Sequence, residues 1–179
     1  MSKEQFTISV FTEDQIGLLN RVSIIFTRRH INIESIAASE SEIKGVHRYT
    51  IVVEEEKELV VKVVQQLNKQ VDVLQAFYHT IDDIVFQEIA LYKVKTAVLA
   101  AGGKVEKILR THNASVLTVE PEFTIIEKTG HKKETHQLFS ELEPYGILEF
   151  VRSGRVAITK PMKEFKTYLE ELEIESLNN

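Results

Sequence analysis

Cysteine is absent from this sequence, which excludes disulfides, thiolate metal sites and a cysteine nucleophile. That absence fits a reducing, cytoplasmic setting. Absent too is any apolar run near the ~20 residues that a membrane-spanning helix needs. The opening Met1-Ser2-Lys3-Glu4-Gln5 has an early acid and no apolar stretch behind it, so no signal peptide is expected. Basic stripes are missing as well. Arg28-Arg29 and Lys132-Lys133 are the nearest candidates, and the net charge is −5. A nucleic-acid partner is therefore not expected.

Catalytic signatures are also lacking. The six histidines, His30, His47, His79, His112, His131 and His136, are scattered, and none stands in a metal-binding spacing. His131 and His136 are five apart, on different faces of a helix. Glu54-Glu55-Glu56 reads as carboxylates at the positive end of a helix rather than as a metal site. Gly102-Gly103 belongs to no G-x-G-x-x-G pattern and no Walker lysine-serine pair follows it, so it reads as a helix-entry turn. No catalytic residue, metal ligand or cofactor of its own is expected for this chain.

What is there is an ordinary globular composition, 43% hydrophobic and 27% charged, arranged as one pattern written twice. Phe6, Ile8 and Val10 alternate with Thr7 and Ser9, which predicts a strand with one buried face. From Gly17 to His30 the period lengthens: Leu18, Val22, Ile25 and Arg29 form a helical stripe. Residues 31–38 and 46–53 read as strands, 57–69 as a helix and 71–79 as a closing strand. The second half repeats the order, with strands at 85–97, 114–119, 123–127 and 147–151 and helices at 102–112 and 131–142. The expected fold class is α+β: two ferredoxin-like βαββαβ domains, each an antiparallel sheet with helices on one face. The expected boundaries are 1–81, 82–162 and an acidic tail over 163–179.

The first strand-to-helix turn, Thr12-Glu13-Asp14-Gln15-Ile16-Gly17-Leu18-Leu19, has two readings. One is a helix cap with a packing glycine. The other is a pocket for a free amino acid. Helix N–H groups and the dipole would take its carboxylate, and Gly17 would let it approach. Asp14 would take its ammonium, and Ile16, Leu18 or Ile33 its side chain.

The stretch from Glu13 to Val22, followed by Phe26-Thr27-Arg28-Arg29-His30-Ile31-Asn32-Ile33-Glu34-Ser35-Ile36, resembles the N-terminal ACT domain of acetolactate (acetohydroxyacid) synthase small subunits. Leu67 to Leu74 and the later Phe150-Val151-Arg152-Ser153-Gly154 are similar to further segments of that family. The resemblance implies a regulatory subunit, not an enzyme, in branched-chain amino acid biosynthesis. It implies a partner large subunit carrying thiamine diphosphate, magnesium and FAD, and feedback inhibition by a branched-chain amino acid, valine first. It also implies a homodimer through the ACT domains, with the effector between them. Carried over by position, the effector contacts are Asp14, Ile16, Gly17, Leu18 and Leu19, with Asn32 and Ile33 from the partner domain. The family commonly has asparagine at the place of Asp14 and glycine at that of His30, so Asp14 must take the ammonium or turn away. The alternative class is a stand-alone ACT-type sensor that controls another enzyme or transcription.

Overall fold

This computed structural model describes residues 2–100 and 103–160; the expected tail at 163–179 lies outside them. The chain divides into two compact units, one of residues 2–85 with 157–160 and one of residues 86–156. The second unit thus begins four residues after the expected boundary, and 157–160 fall with the first unit.

In the first unit the elements are β1 (Glu4–Glu13), α1 (Leu18–Arg28), β2 (Ile33–Glu40), β3 (Val46–Glu55), α2 (Lys57–Leu67) and β4 (Val73–His79). The sheet order is β2-β3-β1-β4, antiparallel throughout. The core forms where the two periods meet. Phe6, Ile8 and Val10 of β1 with Tyr49, Ile51 and Val53 of β3 pack against Val22, Ile25 and Phe26 of α1 and Val60, Val63, Val64 and Leu67 of α2. Each such side chain contributes about 1.5–3 kcal/mol of burial.

The second face of β1 departs from expectation, because Thr7 and Ser9 are buried as well. β1 is an inner strand, and Arg48 lies along its helix-free face. The Arg48 guanidinium stands 5.4 Å from the Phe11 ring centre. It donates to Ser9 Oγ at 3.4 Å and to the Ala157 carbonyl at 2.7 Å. The returning segment thereby covers part of a face that the alternation alone assigns to water. His79 shares this environment, and burial holds its imidazole below the usual range, with Asp83 acting the other way.

In the second unit and at its margins the elements are β5 (Ile84–Lys95), α3 (Thr96–Ala100), α4 (Lys104–Thr111), β6 (Ser115–Val119), β7 (Phe123–Gly130), α5 (Lys132–Leu142), β8 (Ile147–Arg152) and β9 (Val156–Thr159). The order β6-β7-β5-β8 repeats that of the first sheet, and β9 pairs with β5. Neither α3 nor β9 was expected. The strand predicted over 85–97 stops at Lys95 because Thr96 Oγ1 is taken by the Glu120 carbonyl at 2.6 Å and faces Thr124 Oγ1 at 3.0 Å. In the core, Tyr92 donates to the Thr135 carbonyl at 2.6 Å, tying β5 to α5. Burial pushes its phenol up to about 12.

The repeat reaches the backbone. Gly17 (φ 87) precedes α1 and Gly103 (φ 72) precedes α4, while His30 (φ 56) and Asn113 (φ 51) follow those helices. Both of the latter sit at a left-handed helix exit: Ile31 N–H bonds back to Phe26, and Ala114 N–H to Leu109. A non-glycine residue there is strained. His30→Gly is therefore expected to raise stability by about 0.5–1 kcal/mol, read as a higher midpoint in urea; a lower midpoint would refute the strain.

Candidate functional site

The β1–α1 turn is held from three sides. Asp14 N–H donates to the Gly45 carbonyl in the β2–β3 hairpin at 3.0 Å, and Glu13 N–H to the Asp72 carbonyl before β4 at 3.2 Å. Arg21 of α1 pairs with Asp72. Gly17, not a residue of Thr12–Gln15, is the N-cap, and its carbonyl accepts the Arg21 amide at 3.2 Å. Among the described residues no side chain caps α1, and its first turn holds no acid. Nothing lies within 4 Å of where a Gly17 Cβ would stand. The helix start is thus open and electropositive, which is what a carboxylate ligand needs.

The candidate contacts do not all gather there. Asp14 is exposed at the turn, its Oδ1 3.4 Å from His47 Nε2. Ile16 is fully exposed and Leu19 partly so. Leu18 is only 2% exposed, so its side chain belongs to the interior and is withheld from a ligand. Its amide donates back to the Gln15 carbonyl at 3.4 Å.

Asn32 and Ile33 lie elsewhere. Ile33 stands opposite Val53, which stands opposite Phe6, whereas the turn end is marked by Thr12 opposite His47 and His47 opposite Glu40. Six residues of strand separate these levels, about 20 Å at 3.3–3.4 Å per residue. Asn32 is exposed, with Nδ2 3.4 Å from Glu34 Oε1, and Ile33 packs on the core. One chain therefore carries the two halves of the candidate site at opposite ends of one sheet.

Sequence reading missed His47, Gly45 and Asp72 as neighbours of the turn. The only sequence signal was that His47 opens a β-branched strand. The contact itself comes from the register that sets His47 beside Thr12.

The Arg152-Ser153-Gly154 segment also has a physical role in the second unit. Ser153 N–H donates to the Ile89 carbonyl at 2.8 Å, and Ile89 N–H donates to Ser153 Oγ at 2.9 Å. Arg152 Nε stands 3.2 Å from the carboxylate of Glu88, which is 5% exposed. Arg155, 3% exposed, lies 3.9 Å over the Phe86 ring, which stacks on His131 at 4.3 Å. Burial lowers the Arg155 pKa and the Glu88 charge opposes that shift. Glu88 and Arg155 are the buried members of this clasp. Among the described residues no group of three or more histidines, aspartates or glutamates is placed to hold a metal. No helix there is long and apolar enough to cross a membrane.

Comparison with known proteins adds five findings. The profile of the AHAS small subunit-like ACT domain matches residues 8–75. That of the small subunit of acetolactate synthase matches residues 87–161. The chain is 38% identical over 154 residues to an acetolactate synthase small subunit of Bacillus subtilis strain 168, covering 86% of this chain and 89% of that protein. It is 36% identical over 160 residues to one of Mycobacterium bovis, covering 89% and 95%. A crystal structure of the acetolactate synthase small subunit from Thermotoga maritima superposes with a TM-score of 0.80 at 25% identity, covering 89% of this chain and 99% of that one.

Proposed function

This chain belongs to the family of acetolactate synthase small subunits, and from that premise we propose that it activates a catalytic large subunit and transmits feedback inhibition by a branched-chain amino acid, valine first. Thiamine diphosphate, magnesium and FAD belong, on this reading, to the large subunit.

The observation that carries the effector half is the split site. β2 is an edge strand, and an uncovered edge invites another strand. If two copies join β2 to β2 antiparallel about a two-fold axis, the start of one β2 meets the end of the other. Asn32 and Ile33 of one copy then approach the Asp14–Leu19 turn of its partner. This supports a homodimer with two composite sites, each holding the effector carboxylate at the start of α1, its ammonium at Asp14 and its apolar side chain near Ile16, Leu19 and Ile33. Leu18 contributes backbone only.

Control follows from population shift. An effector that binds one arrangement of the dimer better draws the equilibrium toward it, with couplings typically ~1–3 kcal/mol. Discrimination among aliphatic effectors is limited, since one methylene is worth roughly 1–3 kcal/mol.

Reconstitution tests this. The chain is mixed with its synthase large subunit, pyruvate and cofactors, and acetolactate is followed with and without valine, leucine or isoleucine. The expected result is a higher rate with the chain and a lower one on adding valine. An unchanged rate would overturn the assignment in favour of a stand-alone sensor; activation that no amino acid reverses would overturn the effector site alone.

A further inference from the structure

Resting on that effector reading, we propose that His47 is a proton-dependent competitor for the Asp14 carboxylate, so that effector binding weakens as the imidazole takes up a proton.

The geometry comes from three elements. His47 is the second residue of β3, opposite Thr12 of β1 and Glu40 of β2. It is on the helix-facing side, since it shares the alternation of Tyr49, Ile51 and Val53, all of which pack beneath the helices. Its Nε2 is 3.4 Å from Asp14 Oδ1. The Asp14 amide donates to the Gly45 carbonyl, which anchors its backbone beside the start of β3.

Other charges around the pair do not duplicate this role. Asp72 is engaged by Arg21, and Glu13 accepts from the Gln15 amide group at 2.5 Å. Glu40 is the exposed partner of His47 across the ladder. Glu42 and Lys44 stand in the hairpin, and Arg48, on the opposite face of β3, is bound to Ser9 and Ala157. Histidine is the side chain that ordinarily changes charge between pH 5 and 8. An amino-acid effector keeps its ammonium and carboxylate charges across that range, as α-carboxyl groups titrate far below it. A protonated His47 offers Asp14 an ion pair within the chain and places a cation where the effector brings its own. A neutral His47 leaves the carboxylate to the ammonium.

Two measurements on the full chain test this. Calorimetric titration with valine is expected to give a Kd at least about five-fold larger at pH 6 than at pH 8, the low end of ordinary coupling. In His47→Gln that ratio is expected to fall below about two-fold. NMR of the His47 ring without any effector is expected to show ring shifts that differ between Asp14→Asn and the parent more at pH 6 than at pH 8. A pH-dependent Kd that persists in His47→Gln would overturn the proposal, as would His47 ring shifts indifferent to Asp14→Asn. Valine failing to bind at either pH would overturn the effector reading and the competition with it, while the NMR comparison still decides the His47–Asp14 contact by itself.

Discussion

Gly17→Asp and Asn32→Ala are each expected to abolish inhibition by the effector, and mixing the two variants is expected to restore part of it. Gly17 holds φ 87, a left-handed conformation that an aspartate adopts only with strain. The new carboxylate would also occupy the start of α1, the place assigned to the ligand's own. Asn32 is exposed and makes one long contact, to Glu34, so its truncation leaves the fold intact. In a two-fold dimer, a mixed pair has one site with both defects and one with neither. With equal mixing, half the dimers are mixed and about a quarter of all sites are whole. Effector titrations of the reconstituted enzyme read this directly, with circular dichroism confirming that each variant is folded. If both variants fold and dimerise but no mixture regains any sensitivity, the composite site is wrong.

Glu88→Ala is expected to cost the second unit several kcal/mol, about 3–5. The carboxylate is buried, stands beside Arg152 and opposes the desolvation of Arg155. Removing one partner of a buried charge arrangement costs about 3–5 kcal/mol, because the remaining charge has no water to turn to. Lys93→Ala offers the contrast. Its pairing with Glu149, at 3.7 Å, is partly exposed, and its Nζ lies 4.6 Å from the Phe123 ring centre; each such contact contributes about 0–1 kcal/mol. Thermal melts of the two variants are expected to differ by more than about 10 °C, since 1 kcal/mol moves a domain this size by about 4–8 °C. Equal losses would mean that the Glu88 cluster holds nothing together. The comparison also separates fold from regulation, as neither residue belongs to the proposed effector site.

The residues that made the fold legible are those whose information is local. Phe6, Ile8 and Val10 at a period of two, and Val60, Val63, Val64 and Leu67 at helical spacing, declare a strand and a helix because each pattern puts one face of its own element in the core. Gly17 stood out in the sequence as a glycine at a strand-to-helix turn, but its left-handed φ is known only from the structure. Repeating that order twice was enough to imply two similar sheets.

The rest depended on contacts between segments far apart in the chain. That Asn32 and Ile33 stand a strand's length from the turn is a matter of register between β2, β3 and β1. Only the family resemblance assigned them to a partner domain; nothing in the periodicity carried that distance. The His47–Asp14 contact spans the whole of α1 and β2. The capture of Arg48 by the Ala157 carbonyl requires the chain to return to its first unit after completing the second. Periodicity reports which face of an element is buried, and so determined the elements and their core by itself. Strand register and chain return set which side chains meet across elements, so the tertiary structure alone decided the distance between Asn32 and the turn, the neighbour of Asp14 and the partners of Glu88.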